Sequence, residues 1–138
     1  MKVCVFGAGS SGIASCQVLG ARGIDFDCFE VGSEVGGNWR YMNDNGMSSA
    51  YRSLHINTSR DRMEYADYPM PRDYPDFPHH TQIASYFDDY VEHFGIREAI
   101  EFETGVEHAA RTSSPSTCGA GRSTRWACRR GSRGRSGA

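Results

Sequence analysis

The chain has 138 residues and a formal net charge of −2, which is enough length for one α/β domain but too little for two. No apolar run approaches the roughly 20 residues of a membrane helix, and the first predicted strand starts too early for a secretory signal to precede it. We therefore expect a cytoplasmic protein without a membrane span. The five cysteines and five histidines show no metal-ligand spacing, so we expect reduced thiols and no metal site.

A glycine turn follows the first apolar run. Residues 3–6 are predicted to form a strand that leads directly into the turn GAGSSG at residues 7–12. Residues 11–22 have the spacing of a helix on a sheet, and a second, parallel strand is predicted over residues 24–31, with Glu30 near its end. A strand, a G-x-G-x-x-G turn, a helix, a strand and an acid about 20 residues later form the dinucleotide-binding fingerprint.

Each part of this fingerprint has a physical reason. Gly7 lets the chain turn sharply off the strand, Gly9 lets the backbone touch a pyrophosphate, and Gly12 lets the helix pack closely on the sheet. The N–H groups of the first helical turn then favour a phosphate. Glu30 would accept hydrogen bonds from ribose hydroxyls and repel a 2′-phosphate, which favours FAD or NAD over NADP here. The alternative is a glycine turn in an unrelated α/β domain.

Two irregular segments follow the second strand. Paired glycines and a tryptophan at residues 36–39 indicate either backbone packed against a flat group or a surface turn with Trp39 in the core. Residues 51–58 alternate like a short strand. Residues 65–80 contain four of the five prolines and many aromatic residues, which excludes regular structure and predicts an ordered coil held by ring packing.

Regular elements return after the prolines. Residues 81–94 have helical periodicity, with Thr81 as the predicted N-cap and Gly95 as the stop signal. Their acidic residues are interpreted as a solvated face. Residues 100–106 alternate as a strand, which we expect to be the next one in the parallel sheet.

Together these segments resemble the flavin-containing monooxygenases. The likeness rests on GAGSSG, the acid at position 30, EVGGNW, LHINTSRDRM, DYPMPRDYPDFPHH, EHFG and IEFETGV, and it covers residues 1–108. It implies the N-terminal part of a Rossmann-like FAD/NAD(P)-binding domain, with an incomplete parallel sheet. It also implies an oxidoreductase that uses FAD, NADPH and O₂ to oxygenate amines or sulfides, as N,N-dimethylaniline monooxygenases do, through a C4a-hydroperoxyflavin.

The resemblance also implies roles for particular residues. The residues implied to contact the cofactors are Gly7, Ala8, Gly9, Ser10, Ser11, Gly12, Glu30, Asn38, Trp39, Ile56, Asn57 and Thr58. Among them Asn57 is the candidate catalytic residue, because its amide both donates and accepts hydrogen bonds and can hold flavin and nicotinamide groups together. The alternative for Asn57 is a purely structural turn-capping residue. Arginines 40, 60 and 62 are interpreted as solvated and are left out of the site.

The last segment, residues 109–138, departs from the family. It holds seven arginines and no acidic residue, whereas all 17 acidic residues lie before it. Because it has no aliphatic residue larger than alanine, we expect no strand and no core from it. The leading hypothesis is a frameshift in GC-rich coding sequence, and the alternative is a disordered basic tail that binds nucleic acid or an acidic surface.

This departure bears on activity. No second glycine fingerprint for NADPH follows residue 12, so we expect a truncated fragment that neither oxygenates substrates nor holds FAD tightly. One alternative is a fragment of a Baeyer–Villiger monooxygenase, although the asparagine of LHINTSR favours oxygenation of nitrogen or sulfur. The other is a non-catalytic nucleotide-binding remnant with a basic tail. The substrate itself cannot be read from these residues.

Overall fold

The computed structural model describes residues 2–112 and 125–131 of the chain. In chain order the elements are β1 (Val3–Phe6), α1 (Ser10–Ala21), β2 (Phe26–Phe29), α2 (Arg60–Met63), α3 (His80–His93), β3 (Ile100–Glu101), β4 (Gly105–Thr112) and β5 (Arg125–Gly131). Strands β1, β2 and β3 form a parallel sheet in that order. The predicted α/β fold with a parallel, Rossmann-like sheet is confirmed.

Helix α1 lies within one residue of its predicted bounds. Gly9 is its N-cap and Gly23, with a φ of +63°, follows its C-terminus in the left-handed conformation that often ends a helix. Ile13 and Cys16 are fully buried and join Cys28 of β2 in the core. The helix therefore packs on the sheet through its small and aliphatic residues.

The strand predicted over residues 100–106 is interrupted. It consists of β3 and the start of β4, separated by a turn in which Glu103 has a φ of +53°. The backbone N–H groups of Glu103 and Thr104 donate to the carbonyls of Gly32 and Glu30. These two bonds hold residues 103 and 104 against the segment that follows β2, so the chain leaves the parallel sheet after β3. The expectation that β3 is the next parallel strand is confirmed.

Helix α3 contributes more buried residues to the core than helix α1 does. Its buried apolar residues are Ile83, Ala84, Tyr86, Phe87, Tyr90 and Val91. The prediction of Thr81 as N-cap is wrong, because His79 occupies that position and its ring accepts the Thr81 backbone N–H. The His79 backbone N–H in turn donates to the Gln82 side chain, which completes a capping box. Gly95 has a φ of +62° and ends the helix as predicted.

The proline-rich segment is an ordered coil held by aromatic rings, as predicted. Tyr65 packs on Tyr90 with ring centroids 4.5 Å apart, and Tyr68 packs on Tyr86 at 5.6 Å. The Arg60 guanidinium donates to the Tyr74 carbonyl at 2.6 Å, so this arginine supports the coil. The strand-like alternation predicted over residues 51–58 produces only one isolated bridge, between residues 55 and 79.

The arginine-rich segment contains regular structure where it is described. Strands β4 and β5 pair antiparallel, with a register irregularity near His108. The prediction that residues 109–138 form no strand is therefore wrong, because backbone hydrogen bonds can build a two-stranded ladder without large aliphatic side chains. Residues 113–124 and 132–138 lie outside the described residues, and the frameshift stays a prediction.

Candidate functional site

The first glycine turn, residues 7–12, connects β1 to α1, and its backbone leaves no room for a side chain at Gly12. Gly7 has a φ of +88° and its N–H donates to the Phe29 carbonyl at 2.8 Å. A Cβ on Gly12 would lie 1.9 Å from the Gly7 carbonyl oxygen, which no side chain can accept. The helix therefore starts directly over the turn, and its first N–H groups, which lack intrahelical acceptors, lie at the carboxyl end of the sheet.

The Glu30 carboxylate fastens this turn to the end of β2. One oxygen accepts the Ala8 N–H at 2.6 Å and the other accepts the Gly32 N–H at 2.7 Å, while the residue is only 3% exposed. Charge-assisted bonds of this kind are short and strong. A carboxylate has about four lone-pair sites, so two remain for further donors. The sequence analysis predicted a ribose-binding role for Glu30 but not its bonds to the backbone of the turn.

A second glycine turn contacts the first. We call residues 34–40 the double-glycine loop. The Gly36 N–H donates to the Ala8 carbonyl at 2.9 Å, and Gly36 and Gly37 have φ values of +107° and +52°. A Cβ on Gly37 would lie 3.2 Å from the Gly9 Cα. The backbone of the double-glycine loop is therefore packed closely against the first turn, whereas the sequence had left open a flat group or a surface turn at residues 36–39.

Side chains from distant segments hold the double-glycine loop. The Arg40 guanidinium donates through Nε to the Val35 carbonyl at 2.7 Å and through Nη2 to Asp88 of α3 at 2.5 Å. At the other end of the loop, Arg97 donates to Glu34 at 2.9 Å. The sequence interpretation of Arg40 as a solvated residue missed these bonds, since nothing in the local pattern identifies a partner 48 residues away.

Asn38 and Trp39 have different environments. Trp39 is half-buried and packs against the hydrophobic core, which agrees with the alternative of a tryptophan in the core. Asn38 is exposed, and its carbonyl accepts the Ser48 hydroxyl at 3.1 Å. Asn38 is therefore the more exposed of the two side chains.

The Asn57 segment is anchored by its neighbour. Ile56 is buried and its N–H donates to the Pro78 carbonyl at 3.0 Å. Asn57 and Thr58 are exposed, and the Thr58 hydroxyl donates to Asn57 Oδ1 at 3.4 Å. The described contacts of Asn57 are thus local, and its side chain is held loosely beside a firmly placed backbone.

Tyr65 connects the proline-rich coil to the first turn of α1. Its hydroxyl donates to the Ser10 carbonyl at 2.6 Å, and its N–H donates to the Tyr86 hydroxyl at 2.8 Å. Burial raises the pKa of Tyr65 and raises the pKa of Tyr86 to about 12, so both hydroxyls keep their protons near neutral pH. Tyr65 was not predicted as part of the site, because only the folded coil brings it to Ser10.

The described residues contain neither a membrane-spanning helix nor a metal-binding cluster. In the part of the chain that the structure describes, no helix is long and apolar enough to cross a membrane. Over the same residues, no group of three or more histidine, cysteine or acidic side chains is arranged to hold a metal ion.

A parallel sheet, a glycine turn under a helix N-terminus and a buried acid at the end of β2 define a dinucleotide-binding α/β domain. The family model described as FMO-like, flavin-binding monooxygenase-like, matches residues 1–128. The chain belongs to this family, as the sequence predicted. The match extends past residue 108, where the resemblance was expected to end.

Relatives agree with this assignment. The chain is 38% identical to flavin-containing monooxygenase 5 of Oryctolagus cuniculus over 86% of its own length and 22% of the relative. It is 37% identical to the N-oxide-forming dimethylaniline monooxygenase 2 of Mus musculus, over 76% of the chain and 20% of that protein. The chain therefore spans about a fifth of the length of these curated relatives.

A solved structure has the same fold. The S-allyl-L-cysteine S-oxygenase from Allium sativum superposes with a TM-score of 0.72 at 26% identity, over 80% of this chain and 29% of that chain. The agreement includes more than the fingerprint, since it covers most of the described residues.

Proposed function

We propose that this chain forms the FAD-binding part of a monooxygenase that uses NADPH and O₂ to oxygenate soft nitrogen or sulfur nucleophiles. The observation that carries the proposal is the contact between the two glycine turns, where Gly37 approaches Gly9 and Gly36 bonds to Ala8. Two small-residue turns together leave backbone, not side chains, along the path that a long dinucleotide would follow. Bound FAD would supply the redox chemistry with O₂, and NADPH the reducing equivalents.

The first turn is the proposed pyrophosphate site. The residues assigned to it are Gly7, Ala8, Gly9, Ser10, Ser11 and Gly12. The N-terminal N–H groups of α1 and the helix dipole favour a phosphate at this position. Ser11 is exposed, so a ligand can reach the helix start.

Glu30 is the proposed ribose residue. The lone pairs that its two backbone donors leave can accept ribose hydroxyls. Its negative charge is held in place by Ala8 and Gly32, so a 2′-phosphate would meet a carboxylate that cannot move away. The first nucleotide is therefore one without a 2′-phosphate, which fits FAD, and NADPH binds elsewhere.

The flavin side is assigned to Asn38, Trp39, Ile56, Asn57 and Thr58. Asn57 is the proposed catalytic residue among them. The hydroxyl of Thr58 donates to its Oδ1 at 3.4 Å, which leaves Nδ2 as the amide group that can donate to a ligand. The buried Ile56 fixes the backbone beneath it. Because the Asn57 amide is exposed and its backbone is fixed, the side chain can rotate to form hydrogen bonds with a bound cofactor.

The substrate class is supported by the relatives. One of them is an N-oxide-forming dimethylaniline monooxygenase and the solved structure is an S-oxygenase. Nitrogen and sulfur nucleophiles share a polarisable lone pair, so one oxygenating site can serve both.

A titration of the purified 138-residue chain tests the nucleotide assignment. We expect FAD and ADP to bind, and ADP that carries an additional 2′-phosphate to bind at least about tenfold more weakly, which corresponds to ~1.4 kcal/mol. Glu30→Gln should reduce this discrimination, whereas the control Glu34→Gln, which removes an equal charge from the double-glycine loop, should keep it. A chain that is folded by circular dichroism but binds neither FAD nor ADP would overturn the proposal.

A further inference from the structure

Two ion pairs bracket the double-glycine loop. Glu34 pairs with Arg97 at its start, and Arg40 pairs with Asp88 at its end. The side chains of both pairs are partly exposed, at 42% and 35% for the first pair and 25% and 36% for the second. By charge and exposure alone the two pairs would be expected to contribute similarly small amounts to stability.

Arg40 differs from Arg97 in what else it binds. Its Nε–H donates to the Val35 carbonyl within the same loop, while its Nη2 reaches Asp88 on α3. A Cβ on Gly36 would lie 3.8 Å from Arg40 Nε and 3.7 Å from Phe87. The guanidinium therefore lies along the loop backbone and connects it to the helix. Its planar fork fixes the angle between the two bonds, which a lysine cannot reproduce.

We propose that Arg40 is a positioning residue that holds the double-glycine loop in the shape required by the flavin half of the cofactor. The proposal rests on the proposed function, because it takes FAD as the ligand. Arg40 acts through Gly36, whose N–H is bonded to Ala8, and through the residues that follow. Because Asp88 neutralises the charge of the guanidinium and Val35 accepts its Nε–H, Arg40 binds the loop and α3 and is not assigned to a phosphate.

Amide hydrogen exchange in the ligand-free chain tests the positioning directly. Removing both bonds with Arg40→Met should speed exchange of the Gly36 N–H by about tenfold. Arg40→Lys keeps a cation for Asp88 and should give an intermediate rate, and Asp88→Asn, which keeps the Nε bond, a smaller increase. The matched control Glu34→Gln breaks the other ion pair, which reaches only the start of the loop, and should speed the exchange much less than Arg40→Met does. Equal rates in Arg40→Met and the control would overturn the proposal.

The ratio of FAD to ADP affinity provides the second readout. ADP reaches only the first turn and Glu30 under the proposed assignment, so its affinity should be the same in all variants. The affinity for FAD should fall about fivefold to tenfold in Arg40→Met, since the loop must then be ordered on binding. A general loss of structure would weaken both ligands equally and would contradict a positioning role.

These measurements separate the two proposals. If the wild-type chain binds neither nucleotide, the proposed function fails, while the exchange rates still decide whether Arg40 orders the loop. If the wild-type chain binds both and Arg40→Met leaves the FAD to ADP ratio unchanged, the positioning role fails and the proposed function stands.

Discussion

The two glycine turns of this chain obtain their shape in different ways. The first turn lies between elements that are adjacent in sequence. Among the described contacts, Glu30 is the only side chain that accepts a hydrogen bond from a backbone N–H group of this turn. The second, in the double-glycine loop, has a short helical turn at Gly37–Trp39 and is held by Arg40, Asn43, Asp88 and Arg97. The first turn is specified mainly by the β1–α1–β2 unit that contains it, with Tyr65 as a later support, and the second is specified by the assembled core.

This difference predicts different consequences of mutation. A change in the first turn alters the junction of β1 and α1, so it acts on folding. A change in the double-glycine loop leaves the sheet and helices intact, so it acts mainly on the loop and its ligand. Three substitutions test this distinction through the free energy of unfolding, measured by urea denaturation of the 138-residue chain.

The largest effect is expected from Gly12→Ala. The new Cβ would meet the Gly7 carbonyl oxygen at 1.9 Å and the carbonyl carbon at 2.9 Å, both of them backbone atoms that cannot rotate away. We expect a loss of about 3 kcal/mol or more. The control is Gly20→Ala in the same helix, where the Cβ would make an ordinary contact at 3.9 Å with Phe26. Alanine should stabilise the helix there by up to about 1 kcal/mol, so equal effects would show that the turn is not tightly packed.

A smaller effect is expected from Glu30→Gln. The buried carboxylate accepts two backbone N–H groups, and an amide must turn its own N–H groups toward one of them. The lost bond and the unsatisfied donor should cost about 2 kcal/mol. Glu34→Gln removes the same charge from an exposed pair, with an expected cost below about 1 kcal/mol. If the two variants unfold at the same urea concentration, Glu30 does not fasten the turn.

The sequence was sufficient for the locally specified parts of the molecule. The positions of Gly7 and Gly12 in the turn and of Glu30 at the end of the second strand were predicted because their spacing follows from the geometry of one strand, one turn and one helix, whereas the bonds of Glu30 to Ala8 and Gly32 were not. The apolar face of α3 was predicted for the same reason. Its N-cap was not, because His79 becomes a good cap only when Nε2 donates to the Arg52 carbonyl at 2.8 Å and so leaves Nδ1 as the acceptor.

The long-range parts could not be predicted. The role of Arg40 depends on Asp88, and that of Tyr65 on Ser10, and both partners are brought near only by the complete fold. Strand β5 was missed because its ladder depends on backbone groups and not on a hydrophobic pattern. Whether Asn57 touches a cofactor stays a prediction, because its described contacts are local.

The smallest effect is expected from Gly37→Ala, which tests the contact between the turns. Gly37 has a φ of +52° and its Cβ would lie 3.2 Å from the Gly9 Cα. The left-handed conformation alone should cost an alanine about 1 kcal/mol. Gly46→Ala measures that cost separately, because Gly46 has a φ of +71° and nothing within 4 Å of its Cβ. The excess loss in Gly37→Ala, expected to be a few tenths to about 1 kcal/mol, is then the energy of the contact. Equal losses in the two variants would mean that this contact does not stabilise the turns, and the double-glycine loop would then be held by its hydrogen bonds and ion pairs instead.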